Sequence, residues 1–168
     1  MKQIFLKDLS DHLDKEIELH GWVNTVRDHK KIVFLDLRDS TGTVQVVADA
    51  EAASLSPEDV VTIKGLVKKR PEKLVNAKTP NGSIEVEARK VSLVSKAHTL
   101  PFDMGKEELG LTLPVLLDNR TLTLRHHSVQ KIFKVQEAVA EGFRRVAKEL
   151  GCIEIFVPTI AASSTEGG

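Results

Sequence analysis

The stretch KIVFLDLRDSTGTVQVV, Lys31 to Val47, decides the fold. In an extended chain successive side chains point to opposite faces. Val33, Leu35 and Leu37 therefore form one apolar row, and Ile32, Phe34, Asp36 and Arg38 form the other. The STG at 40–42 makes a short turn into a second strand, Thr43–Ala48. The outer row is mostly polar, yet it holds Phe34, one of seven aromatic residues in the chain. Either a loop or helix covers that ring, or the ring is an exposed stacking platform.

Three further strand-like runs surround this pair. EIELHGWVNTV (16–26) alternates through Ile17, Leu19, Gly21 and Val23, and VVTIKGLVKK (60–69) and SIEVEARKVSLVS (83–95) follow. DAEAASLSPEDV, between the third and fourth runs, reads as a short helix or helical turn. RPEKLVNAKTPNG reads as a loop marked by Pro71, Pro80 and Asn81-Gly82. The order strand-strand-strand-helix-strand-strand fits a mainly β OB-fold, a five-stranded barrel whose open face binds oligonucleotides, although other small barrels share it.

From 96 to about 127 the pattern lapses, with Pro101, Gly105, Gly110 and Pro114 interrupting any period. The expected organisation is a barrel domain over 1–103, a linker over 104–127 and a third segment over 128–168. In that segment Val129, Ile132, Phe133, Val139, Phe143, Val146 and Leu150 recur at helical spacing, with Ser128 as the expected cap and Gly151 as the stop. CIEIFVP then reads as a strand closed by Pro158. A helix and a lone strand cannot bury their own apolar faces, so this third of the chain resembles the opening of a larger domain.

Charge narrows the function. Lys plus Arg and Asp plus Glu are 24 each, and residues 1–103 carry sixteen of each sign. A protein that grips nucleic acid by bulk positive charge is not built this way, so any such contact must be local and specific. The single cysteine, Cys152, excludes an internal disulfide and is expected to be buried beside the last strand. The six histidines show no metal-ligand spacing, and no metal site is expected. The start MKQIFLKDLSDHL fits neither a signal peptide nor a membrane span, and a cytoplasmic protein is expected.

Candidates for base recognition accompany Phe34. Stacking holds a base without selecting it, so selection needs donors and acceptors nearby. Arg27 ends the first strand, Gln45 lies mid-strand between Val44 and Val46, and Glu85 faces away from Ile84 and Val86. Amide and guanidinium groups can pair with base edges, and a carboxylate can accept from amino groups. Lys64, Lys68, Lys69, Arg70 and Lys73 form the one cationic run, either a solvated strand end or a phosphate path.

LHGWVNTVRDHKKIVFLDLRDSTGTVQVV closely resembles the anticodon-binding domain of class IIb aminoacyl-tRNA synthetases, the aspartyl branch in particular. RPE at 70–72 (as Arg70-Pro71-Glu72), Asn76, Gly82 and Ile84–Val86 continue the likeness. LDNRTLTLR (117–125) resembles the family's linker. VQKIFKVQEAVAEGFRRVAKELGCIEIFVPTI is similar to its motif 1, and STEGG to the start of its aspartate pocket. The resemblance implies that Phe34 stacks on the middle anticodon base and Gln45 hydrogen-bonds it. Arg27 and Glu85 would read flanking bases, with Asn76 contributing from a loop. It places Pro158 at a class II dimer interface and Glu166 against the ammonium of bound aspartate. The family uses ATP and Mg2+, acts on tRNA and is homodimeric. Its motifs 2 and 3 have no counterpart in these 168 residues, so the expectation is an N-terminal piece with the first helix and strand of the α+β catalytic domain. No catalytic residue and no cofactor are assigned to this piece alone. An asparaginyl or lysyl synthetase, a free-standing single-strand-binding OB module and a dimer-forming interaction module working through 128–158 remain alternatives.

Overall fold

The computed structural model describes residues 4–77, 79 and 81–157. The chain divides between Glu107 and Glu108 into two compact units, each described by itself. The first is built on five strands: β1 (Glu16–Asp28), β2 (Ile32–Arg38), β3 (Thr43–Asp49), β4 (Val60–Lys69) and β5 (Ile84–Ser95). They close into a barrel in the order β1-β2-β3-β5-β4. β1–β2, β2–β3, β1–β4 and β4–β5 pair antiparallel. β3 and β5 pair parallel through Gln45↔Glu85, Val46↔Val86 and Val47↔Glu87. This is the mainly β, five-stranded architecture that the strand order implies.

The inward rows are apolar because the period of two puts every second residue in the barrel. Leu19, Val23, Val33, Leu35, Leu37, Val46, Val61, Ile63, Val67 and Val86 are fully buried. Each such Val or Leu contributes roughly 1.5–3 kcal/mol of transfer free energy. Leu6 and Leu9, from a 3-10 turn at Leu6–His12, join the same core. Two polar side chains tie that turn to the barrel. Asp39 accepts the Leu6 N–H at 2.8 Å and the Thr41 and Gly42 N–H groups of its own turn. Asn81 donates to the Leu6 carbonyl at 2.9 Å and the Thr43 carbonyl at 3.0 Å. The expected helix between β3 and β4 is a five-residue 3-10 turn, Ala50–Ser54, which contributes the buried Ala52.

The second unit holds α1 (Leu113–Asp118), α2 (Arg120–Thr123) and α3 (His127–Glu149). The cap of α3 is His126 rather than Ser128: the His126 ring accepts the Ser128 N–H, which puts Ser128 inside the first turn. Gly151, at φ 78°, ends the helix as expected because that conformation costs glycine little. Ile132, Val135, Val139 and Phe143 lie exposed along α3, and Leu150 lies exposed just after it. Residues 152–157 form no strand, and Cys152 is exposed, which corrects two expectations. A strand needs a partner, and none of the described residues pairs with this one. No helix among the described residues is long and apolar enough to cross a membrane.

Candidate nucleic-acid interface

A β-bulge builds the site. Along β1, Ile17, Leu19, Gly21 and Val23 point inward, and an unbroken alternation would send Thr25 and Arg27 inward too. The register shifts between Val23 and Thr25, so Asn24 is the extra residue. Beyond it the parity reverses: Val26 packs on the core, while Thr25 pairs with Asp36 and Arg27 with Phe34 on the outer face. The bulge is held from both sides. Arg38 donates to the Asn24 side chain at 2.9 Å and ion-pairs with Glu58 at 2.5 Å, and the Val23 N–H and C=O bond to Asp59 and Glu58 backbone.

The register then lines up residues far apart in sequence. Asp36 lies opposite Gln45, and Gln45 opposite Glu85. Their side chains bond in one chain across four strands. Arg27 forks onto Asp36 at 2.6 and 3.0 Å, and Asp36 also accepts the Thr25 hydroxyl. Arg27 reaches the Gln45 carbonyl oxygen at 3.4 Å, and the Gln45 amide donates to Glu85 at 3.2 Å. Arg70 closes the chain on Glu85 at 3.3 Å. The face is thus rich in donors and acceptors without a net charge, as the local balance of charges requires.

Phe34 is half-buried on this same face, in register with Arg27. Its ring and that of His29 stand nearly perpendicular, at a centroid distance of 5.3 Å and an interplanar angle of 89°, a favoured T-shaped contact. Asn76 stands in the loop between β4 and β5. A cleft of about 550 Å³ runs from Asn76 and Leu74 to Arg27, Asp36 and Gln45. Gly82 shapes the loop: a Cβ there would lie 1.7 Å from the Asn76 carbonyl oxygen. Only glycine lets the loop close through Asn76 N–H to Gly82 O and Gly82 N–H to Thr79 O, both 3.0 Å. Arg27, Gln45, Phe34 and Glu85 are thus brought together, with Asn76 across the cleft.

An OB-fold nucleic acid binding domain family matches residues 17–94, the length of the barrel strands. The barrel belongs to that family. The chain is 37% identical over 166 residues to the aspartate–tRNA(Asp/Asn) ligase of Gloeobacter violaceus, covering 94% of this chain and 28% of that protein. It is 37% identical over 167 residues to the Thermus thermophilus ligase of the same name, covering 99% of this chain and 38% of the relative. The crystal structure of Pyrococcus horikoshii asparaginyl-tRNA synthetase with asparaginyl-adenylate matches all of this chain and 39% of its own, with a TM-score of 0.79 and 27% identity. The chain therefore spans between 28% and 39% of the length of these relatives.

The cationic run of the OB domain is not a free basic stripe. Lys64 pairs with Glu18 at 3.0 Å, Lys68 with Glu87, and Arg70 with Glu85. The Lys64 hydrogen bond holds the Glu18 carboxyl below its ordinary range, and the Lys68 hydrogen bond does the same for Glu87. These carboxylates come from neighbouring strands, so linear spacing could not reveal them. Asp36, Asn24, Arg38 and Glu58 went unassigned for the same reason: each works through a partner set by register. Pro158 and Glu166 lie outside the described residues. Among the described residues no group of three His, Cys, Asp or Glu could hold a metal ion.

Proposed function

We propose that the OB domain reads the anticodon loop of an aspartate-accepting tRNA, as part of an aspartate–tRNA ligase. The observation that carries the reading is the outer face itself: a half-buried aromatic ring and three polar side chains, Arg27, Gln45 and Glu85, gathered from four strands. Phe34 offers its π-face to the middle base, and the Gln45 amide meets the edge of that base. Arg27 and Glu85 serve the flanking bases, and Asn76 contacts the loop from the far side of the cleft. Stacking supplies sequence-tolerant affinity, and the polar row supplies choice. Because Lys64, Lys68 and Arg70 are already ion-paired, affinity depends less on salt than in a basic-stripe binder.

The relatives' names and the match over nearly the whole chain support the ligase context. ATP and Mg2+ belong to the parent enzyme's adenylate chemistry, and no step of it is assigned to the described residues. The exposed apolar stripe of α3 supports a homodimeric parent, with Pro158 at the interface and Glu166 at the aspartate pocket. Fluorescence titration of this chain with a labelled GUC anticodon stem-loop, against loops with the middle base changed, tests the reading. A preference of tenfold or more for GUC is expected, since a good paired contact discriminates by about 1–3 kcal/mol. Equal binding of every loop, with affinity set only by salt and length, would mark a general single-strand binder instead.

A further inference from the structure

We propose that Asp36 and Arg70 are positioning residues that hold the Gln45 amide in one orientation, and that this fixed amide sets which base edge the face accepts. The base-reading half rests on the anticodon function proposed above; the positioning half does not. Gln45 is half-buried between two charged partners. Its Oε1 accepts from the Arg27 guanidinium at 3.4 Å, and its Nε2 donates to the Glu85 carboxylate at 3.2 Å. Turned over, the amide would set N–H against N–H and carbonyl against carboxylate. Both contacts would become repulsive, so the neighbours allow one orientation.

Those neighbours are themselves held. Arg27 is forked onto Asp36 at 2.6 and 3.0 Å, and Thr25 donates its hydroxyl to the same carboxylate. At the other end Arg70 donates to Glu85 at 3.3 Å and reaches the Gly82 carbonyl at 3.5 Å. From Arg27 through Gln45 to Glu85 the bonds therefore run donor to acceptor in one direction, Asp36 and Arg70 close the two ends, and Gln45 sits at the middle. By count, the amide keeps one further N–H and one further lone pair, in a fixed order. A base lying on Phe34 meets that order in a single register, so bases with the wrong sequence of donor and acceptor are refused.

The test uses the 168-residue chain with Asp36→Asn and Arg70→Lys made separately. The Gln45 side-chain amide is followed by proton–nitrogen NMR without RNA. The wild type should show two well-separated, slowly exchanging protons, and each variant should move them toward the values of a free glutamine. The second reading is the ratio of Kd for a stem-loop with a changed middle base to Kd for GUC. It should fall about five- to tenfold in each variant, the scale of one ordinary hydrogen bond lost, because affinity for GUC falls further than affinity for the changed loop. An amide signature that does not respond, or an equal loss of affinity for both loops, overturns the proposal. A wild type without base preference defeats the anticodon reading, and the amide signal alone then decides the positioning claim. Where Asp36→Asn fails to fold by Trp22 fluorescence, Arg70→Lys acts from the opposite end of the chain.

Discussion

Arg38→Met is the most informative single change in the barrel. Arg38 stands on the outer row of β2, where sequence alternation suggests a solvated cation, yet its side chain is 14% exposed and that of its partner Glu58 4%. Removing one member of such a buried pair leaves a desolvated charge behind, a loss of about 3–5 kcal/mol. The lower end applies, because Arg38 is not fully enclosed and Glu58 keeps another contact. Glu58 also sits at φ 68°, a left-handed conformation that costs a non-glycine residue roughly 1–2 kcal/mol. The pair holds that strain in place. Arg38→Met should therefore cost about 3 kcal/mol. The double variant Arg38→Met/Glu58→Gly should recover about 1 kcal/mol or more, because the stranded carboxylate and the strain leave together. Urea unfolding followed by Trp22 fluorescence reads both, since Trp22 is the only tryptophan and lies opposite Arg38 in register. A loss below about 1 kcal/mol in Arg38→Met, or a double variant as unstable as the sum of the singles, would refute the reasoning. Binding gives a second reading: with Arg38 gone the Asn24 bulge loosens, and discrimination by Arg27 should weaken beyond the change in stability.

Three other outcomes follow from the same geometry. Gly82→Ala places a methyl group on the Asn76 carbonyl; the loop must open, at about 2–4 kcal/mol for two or three lost hydrogen bonds, with weaker RNA binding in the same titration. Leu35→Ala, at a fully buried core position, should cost about 2–5 kcal/mol in urea unfolding and leave the base preference of the remaining folded protein intact. Asp59 gives the pH dependence. Burial is the largest influence on it and opposes ionisation, but hydrogen bonds from Lys96 and from the Ala97 and Ser56 N–H groups outweigh burial and keep its pKa low. A depressed folded pKa means the unfolded chain binds the proton more readily. Asp59 therefore contributes in full above its unfolded value of about 3.9, and that contribution is lost as pH falls through the lower folded value. Thermal melts from pH 6 to pH 2 should show that loss, and Asp59→Asn should flatten it.

The barrel was legible because strands of period two carry their burial in their own order. Val33, Leu35 and Leu37 point inward on that pattern alone, and all three are fully buried. The site was legible only in part. Phe34, Gln45 and Glu85 follow from parity within each strand, but Arg27 reaches the same face through a one-residue bulge at Asn24 that no spacing announces. Asp36 looked like one more wet strand residue; pairing across β2 and β3 makes it the anchor of Arg27. Lys64 and Lys68 of β4 looked like part of a phosphate path, and the carboxylates that pair with them come from β1 and β5. Ser128 was the obvious cap by residue type, but the ring nitrogen of His126 takes that place one turn-start earlier. In the barrel the deciding contacts lie between strands, where linear periodicity carries no information.

The central claim is that Phe34 is a platform for a base. Its most direct test is the Kd of wild type and Phe34→Ala for the GUC anticodon stem-loop, measured side by side at one salt concentration after both are shown to fold. Stacking of one base is worth roughly 1–3 kcal/mol, so Phe34→Ala should weaken binding by about 5- to 150-fold. Binding of GUC by both proteins with the same Kd would contradict the account.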